Sequence, residues 1–507
     1  MVRCARFLHF TISPSVDYAS KTSKESPKMA MMDLKAISNP LSLCRNQLLH
    51  RKLASHKSSY CGRETRRHLA QPVHVANLQR DIKAQSHSYD VVIVGAGIIG
   101  LTIARQFLLG SDLSVAIIDA DVPCAGATGA GQGYIWRINK EPGHEKWELA
   151  SRSHELWVNL ADSLQQQGMD PLQILGWKKT GSLLVGKTEE ECAMLESRAK
   201  HLRDAGLGAQ FLSNRELQMK EPALVLEEGG AAVFLPDDCQ LDAHRAVASI
   251  EKGNRQFALN GRYAEFYHEP ATGLLRSESS GEIDAVQTSK STIYSKKAVI
   301  LAAGSWSGSV MHGLFRNSNM DIDVPVKPRK GHLLLIENFD SFKLNHALME
   351  AGYVNHQSAA LQAAVSGAET PYDAETTSVS MTATMDSSGR LVLGSSRQLV
   401  GFNTDVDESI ITRIWERAAE FFPALREKSL TELKKNRSVR VGLRPYMPDG
   451  KPVIGPVPGW SKFYVAAGHE GEGLTLALGT AEMIVDMVLG NPTKVDPEPY
   501  TVHRCSS

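Results

Sequence analysis

The chain reads as an α/β protein in which a discontinuous, Rossmann-like nucleotide-binding domain is interleaved with an α+β domain on an antiparallel sheet. Three observations predict this. Residues 90–119, DVVIVGAGIIGLTIARQFLLGSDLSVAIID, run as strand, glycine turn, helix, strand and carboxylate. Two more buried apolar strands ending in small-residue turns, within KAVILAAGSWSGSV (297–310) and at FYVAAG (463–468), stand far away in sequence. Residues 322–337 and 379–396 lie between those two and alternate as antiparallel strands do.

The apolar run 91–94 is β-branched and reads as a buried strand. Gly95 permits the tight turn, Gly97 lets a pyrophosphate approach the backbone, and Gly100 lets helix and strand pack closely. The helix that follows carries Leu101, Ala104 and Leu108, and its N-terminal amides face phosphate charge. A second strand, 115–118, ends on Asp119, the acid placed about 20 residues on to take a ribose hydroxyl pair. An acid there, rather than an arginine, argues against a 2′-phosphorylated nucleotide. Next comes CAGATGAGQGYIW (124–136), a small-residue loop centred on Thr128 that lets backbone amides crowd a ligand.

Further elements follow in order. Leu149, Leu156, Leu160 and Leu164 give a helix over 145–167, TGSLLVG (180–186) a strand, and 188–205 a charged helix. RELQMKEP (215–222) suggests a short helix closed by Pro222. The next segment is a strand and loop leading to a helix that starts near Asp242. Residues 355–378 are polar and Ala/Ser-rich, a surface insertion, and 379–396 form a hairpin turning at Ser388 and Gly389. A helix over 407–421 stops before Pro423. The domain boundaries that result are 89–145, 231–320 and 440–495 for the nucleotide domain, with 146–230 and 321–439 for the substrate domain.

At 507 residues and 42% hydrophobic content, the chain holds two to three domains or one two-lobed enzyme. Its zero net charge hides an asymmetry. Residues 1–88 carry 15 Lys/Arg against 5 Asp/Glu, leaving 41 against 51 for the remainder. An acidic body without a basic stripe argues against a nucleic-acid partner. The basic, Ser-rich, acid-poor segment 1–88 has the composition of an organelle transit peptide, and its length and Ser content favour a plastid over a mitochondrion. Of seven cysteines, Cys4, Cys44 and Cys61 fall in that segment. Cys124, Cys192, Cys239 and Cys505 form no CxxC pair, so neither a disulfide framework nor a metal site is expected. The most apolar stretch, 474–490, is interrupted by Glu482 and Asp486 and reads as a buried helix, not a membrane span.

Further motifs bring a resemblance. AVILAAGSWS (298–307) resembles the second strand-turn of two-dinucleotide-type flavoproteins. GLRPYMPDGKPVIGPV (442–457) and AAGHEGEGLTLALGTAEMIVDMVLG (466–490) resemble the C-terminal signature of the D-amino-acid oxidase, glycine oxidase and sarcosine oxidase family. VPVKPRKGHLLLIE resembles that family's substrate-domain strand, with His332 where a Gln is usual. GRLVLGSSRQLVGF (389–402) is similar to bacterial amino-acid and hydroxyproline or opine dehydrogenase flavosubunits.

The resemblance covers about 89–490 and implies an FAD-binding domain and an FAD-dependent oxidoreductase acting on a small-molecule amine or amino acid. It assigns FAD contacts to Gly95, Gly97, Ile98, Ile99, Gly100, Asp119, Ala120, Thr128, Gly129, Gly131, Ala303, Gly304 and Trp306. The C-terminal contacts are Gly468, Glu470, Gly471, Gly473 and Leu474. GHEGEG lies between a strand and a helical run, so its amides form a helix N-terminus aimed at the flavin edge where reduction deposits negative charge. Such an end is worth about 0.3–1 kcal/mol to an anion. Arg444 in GLRP is assigned the substrate carboxylate, because a bidentate guanidinium suits it. His469 and Glu470 border flavin or substrate, and Arg329 and His332 line the pocket from the substrate domain. With Thr128 at the centre of the cofactor loop and no His there, FAD is expected to be non-covalent, Cys124 being the residue that would overturn this. The acceptor is oxygen or an electron carrier, the dehydrogenase-like stretch favouring the carrier. The alternative is a flavin-bound assembly factor or scaffold for an organelle electron-transfer complex, without turnover. An NAD-dependent dehydrogenase leaves the GHEGEG cap unexplained.

Overall fold

The computed structural model describes residues 85–277, 281–315, 324–354 and 377–505. The basic leader therefore falls outside the described residues up to 84, as does nearly all of the insertion expected at 355–378. Residues 85–88, assigned above to the leader, open the first strand, Gln85–Val94, and pair with Ser291–Tyr294.

The main path of the first sheet runs Val453–Pro456, Phe463–Ala467, Ser291–Leu301, Gln85–Val94, Val115–Ile118, Tyr263–Phe266, parallel except at its first pair. Ile283–Thr288 and Ala271–Arg276 join Ser291–Leu301 off this path as antiparallel strands. Its central strands are continuous apolar runs because both faces are covered. Val91 and Ile93 enter one core, with the helices Ile98–Gly110, Glu145–Gln166, Ala243–Arg255 and Gly473–Leu489. Val92 and Val94 enter another, with Met311, Phe315, Trp460 and Phe463. Glu482, which breaks the apolar run of the last helix, is buried and held by the Arg152 guanidinium at 2.7 and 2.8 Å. None of the helices among the described residues is long and apolar enough to cross a membrane.

The second sheet runs Arg437–Tyr446, Lys327–Ile336, Leu391–Arg397, Ser378–Met385, Ala347–Glu350, Ser182–Gly186, Ala231–Leu235, Gln210–Ser213. It is antiparallel except between Ala347–Glu350 and Ser182–Gly186. The amphipathic helix Glu408–Ala419 covers one face with Ile410, Ile411, Ile414 and Trp415.

Three expectations about domain membership change. Ala231–Leu235, expected in the nucleotide domain, pairs in the second sheet. So does the whole of Arg437–Tyr446, which straddles the expected boundary at 440. The helix Glu145–Gln166, expected in the substrate domain, packs its Leu149, Trp157 and Leu160 into the core of the first sheet. Strand and helix patterns fix element type, but the partner an apolar face meets depends on tertiary packing.

Candidate active site

Gly95 leaves the first strand with φ 117, and its N–H donates to Ile118 O at 2.8 Å. A Cβ there would overlap the carbonyl oxygen of Ala302, so this glycine serves the turn and also the crossing of two strands. Asp119 braces the same turn: Oδ2 accepts the Ala96 N–H at 2.6 Å and Oδ1 the Asp121 N–H at 2.8 Å. Thr128 Oγ1 accepts the Ile98 N–H at 3.2 Å, which ties the small-residue loop to the helix N-terminus. Gly97, Ile98, Ile99, Asp119, Ala120, Thr128 and Gly131 line one cavity of about 540 Å³.

That cavity continues past Ala303, Gly304 and Trp306 to Gly471, Gly473 and Leu474, and ends against Met349, Tyr353, Thr382 and Arg444. Gly100, Gly129 and Gly468, expected to touch a cofactor, do not line it. Each clears a neighbour instead: Gly95 O for Gly100, Cys124 O for Gly129, Met447 Cγ for Gly468. Among the described residues, five buried polar atoms of lining residues lack a protein partner: Gln132 Nε2, Trp136 Nε1, Ser305 Oγ, Thr382 Oγ1 and Ser395 Oγ. Buried donors and acceptors normally find partners, so a polar, ring-edged ligand fits this lining.

The GHEGEG segment forms a 3-10 turn, Glu470–Glu472, before the helix Gly473–Leu489 starts. Glu472 precedes the helix but its carboxylate does not cap it. It binds Lys140 Nζ at 2.6 Å and Lys146 Nζ at 3.1 Å. Burial pushes the Glu472 carboxyl up, but the two ammonium groups outweigh that and hold it at about 2. The uncapped amides are left to a ligand. His469 is buried, its Nε2 3.0 Å from Thr480 Oγ1, and burial lowers it to about 3. It lines the cavity as a neutral ring.

The other end is built from side chains on separate strands. Arg444 stands opposite Arg329 in the antiparallel pair Arg437–Tyr446 and Lys327–Ile336. Its guanidinium lies where a Cβ on Gly331 would be, and donates to Ser396 O at 2.8 Å. It does not pair with Asp449, which is held by Arg504 at 2.7 Å. Burial lowers its pKa, and Arg397 and Arg329 push the same way against Tyr353 and Glu470. Arg329 does not line the cavity. It is ion-paired to Glu470 and lies 4.4 Å above the Tyr446 ring. Burial raises the Glu470 carboxyl, but Arg329, Arg444 and Arg397 together hold it well below the usual carboxylate range.

His332 does not line the cavity either. Gly331 and Leu333 do, and strand alternation turns His332 to the opposite face. There its Nδ1 is 2.9 Å from Ser396 Oγ, and its Nε2 accepts the Asp407 N–H at 3.3 Å, a satisfied structural histidine. Sequence reasoning missed Tyr353, Thr382, Gln132, Lys140, Glu472 and Arg397 as cavity neighbours. Gln132, Arg397 and Glu472 stand within the quoted motifs CAGATGAGQGYIW, GRLVLGSSRQLVGF and GHEGEG, whereas nothing in the sequence marks Tyr353, Thr382 or Lys140.

Fold and cavity together define an enzyme of the nucleotide-cofactor class, with a glycine-turn end and a guanidinium end. A model of the FAD-dependent oxidoreductase family matches residues 90–487, and the chain belongs to that family. It is similar to glycine oxidase of Pseudomonas aeruginosa, 26% identical over 421 residues, covering 81% of this chain and 97% of that one. It is also similar to the hydrogen cyanide synthase subunit HcnC of Pseudomonas protegens, 25% identical over 454 residues, covering 82% and 96%. Among solved structures, glycine oxidase from Geobacillus kaustophilus has the same fold, with TM-score 0.66 at 22% identity, covering 82% and 98%.

Proposed function

We propose that this protein oxidises the C–N bond of an amino acid or secondary amine, with FAD held non-covalently along the cavity. The observation that carries this reading is the half-buried Arg444 guanidinium in the cavity wall, cleared by Gly331. Glycine oxidases are among the relatives, and a glycine-sized substrate consists of little more than an amine and a carboxylate.

When bound, FAD would supply the two-electron oxidant for the C–N bond. The protein's own work is positioning. Gly95, Gly97, Thr128 and the first turn of Ile98–Gly110 would hold the pyrophosphate, and Asp119 and Ala120 the ribose. The first turn of Gly473–Leu489 and the neutral His469 border the flavin. Arg444 orients the substrate by its carboxylate, which fixes the Cα–H direction. The reaction needs the amine unprotonated, and a site with more guanidinium than carboxylate groups disfavours an ammonium ion there. Cys124, beside the cofactor loop, is buried and its thiol pushed up to about 12, so it is a poor nucleophile for attaching a flavin.

The electron acceptor on this reading is a carrier, and the organelle a plastid, addressed by the basic leader. The full-length holoprotein settles the main reading. Under anaerobic conditions one amino acid or secondary amine should bleach the oxidised-flavin absorbance, and admitting air should restore it slowly if a carrier is the acceptor. A flavin reduced by dithionite but by no amine would end the reading.

A further inference from the structure

Two arginines stand behind the cavity wall without lining it, and each lies over an aromatic ring. Arg329 is 4.4 Å above the Tyr446 ring and is ion-paired to Glu470, a residue of the wall. Arg397 is 3.9 Å above the ring of Tyr353, also a residue of the wall. It ends the strand Leu391–Arg397 and is only 6% exposed. Its Nη1 donates to Ser380 Oγ at 3.3 Å, while Nε and Nη2 lack a hydrogen-bond partner among the described residues.

Tyr353 therefore separates Arg397 from the cavity, and its hydroxyl marks where the contact leads. A Cβ placed on Gly471 would stand 3.7 Å from the Tyr353 hydroxyl oxygen and 3.6 Å from Arg444 Nε. Gly471 lines the cavity with both of them and leaves the space between them open. Phenol and guanidinium thus border one point of the wall.

A buried guanidinium without a counter-charge is costly, and an apolar side chain would fill the same space without that cost. What the guanidinium adds is a planar cation attracted to the electron-rich face of a ring, most strongly where water is excluded. The ring torsion of a tyrosine is soft, so holding the ring face holds the direction of the hydroxyl.

We propose that Arg397 is a positioning residue that acts through Tyr353: lying over the ring, it holds the phenol hydroxyl beside Arg444, so that hydroxyl and guanidinium bind the substrate carboxylate together. The carboxylate accepts from both donors, and Arg397 never touches it. This rests on the amine-oxidising reading of the cavity, in which Arg444 takes that carboxylate.

The test is a double-mutant cycle in the full-length holoprotein, with acetate as an unoxidised probe read by perturbation of the flavin spectrum. Tyr353→Phe should weaken acetate about tenfold, and Arg397→Met at least fivefold. The double variant should bind acetate within twofold of Tyr353→Phe alone, because without the hydroxyl the cation has nothing left to position. Arg397→Lys, which keeps the charge and loses the planar group, should fall between Arg397→Met and the parent. In turnover, Arg397→Met should raise KM at least fivefold with kcat within threefold of the parent. A contact that only supported the fold would weaken acetate by the same factor with or without the hydroxyl. Factors that multiply in the double variant, or an unchanged acetate affinity in either single variant, would overturn the positioning role. Should Arg397→Met lose its flavin, Arg397→Lys closes the cycle and the same two results decide. If the cycle holds while no amine reduces the flavin, amine oxidation fails and the two-donor carboxylate site stands. If amines are oxidised while the factors multiply, amine oxidation stands and the role of Arg397 fails.

Discussion

Two glycines at opposite ends of the cavity do different jobs, although each leaves no room for a Cβ. At Gly95 the obstacle is the Ala302 carbonyl, part of the backbone of a neighbouring strand, and φ is 117. At Gly331 the obstacle is the tip of a side chain, the Arg444 guanidinium. The nucleotide end is thus made of backbone that cannot yield, and the substrate end of side chains that can. Rigid backbone suits a cofactor that stays bound, and arginines carried on strands suit a substrate that must come and go.

That contrast predicts different kinds of damage. The largest effect is expected from Gly95→Ala, which meets backbone and a left-handed φ together, at a cost of about 1–3 kcal/mol from the φ alone. Its flavin-to-protein ratio should fall below about a tenth of the parent value, against a cavity that needs an undistorted turn. A variant that keeps its flavin would show that the turn is adaptable after all.

Arg444→Gln should keep its flavin and lose catalysis. Losing one partner of a buried charge pair costs about 2–5 kcal/mol, so kcat/KM should drop roughly 10²- to 10³-fold. Steady-state kinetics alongside a flavin absorbance ratio decide this, and a loss of flavin instead would move Arg444 out of substrate binding.

Gly331→Ala sharpens the comparison most directly. Its clash is with a flexible tip, so the fold should hold and the guanidinium should move. A rise in KM of about tenfold, the equivalent of about 1.4 kcal/mol, is expected with the thermal midpoint within a few degrees of the parent. A collapse in stability like that of Gly95→Ala would erase the distinction between the two ends.

The last effect, on stability and not on catalysis, concerns His469 in the cavity wall. Its folded pKa is lowered by burial from 6.5 to about 3. Between those values the unfolded chain binds a proton that the folded one refuses. Stability from this group is therefore complete above pH 6.5 and lost as pH falls toward 3, by up to about 1.4 kcal/mol per pH unit. Denaturant midpoints at pH 7 and pH 5 should converge in His469→Gln relative to the parent, and an unchanged gap would assign the acid sensitivity to other groups.

The same two ends differ in how far they can be read from the chain. Residues 90–119 announce the glycine turn because every part of it is local: strand, turn, helix and acid follow each other within one stretch. Even there Gly100, and elsewhere Gly129 and Gly468, were expected as contacts and turn out to clear room for backbone or core atoms. His332 stood in a motif next to the pocket, yet one step of strand alternation placed it on the other face. Arg397 stood in a quoted motif and carried no local mark of its position over Tyr353.

The sequence alone determined the α/β class, the glycine-turn strand-helix-strand unit, and the identity of the long helices and several of the strands. Each follows from short-range periodicity, turn stereochemistry or a contiguous motif. Only the tertiary structure decided which sheet Ala231–Leu235 and Arg437–Tyr446 join, and that Glu145–Gln166 packs on the first core. It also decided the meeting of Arg329, Arg397, Arg444 and Glu470. Pairing between strands and the balance of charge in a buried site depend on residues far apart in the chain, Arg329 and Glu470 standing 141 positions apart. No local pattern encodes which distant partner satisfies an edge or a charge.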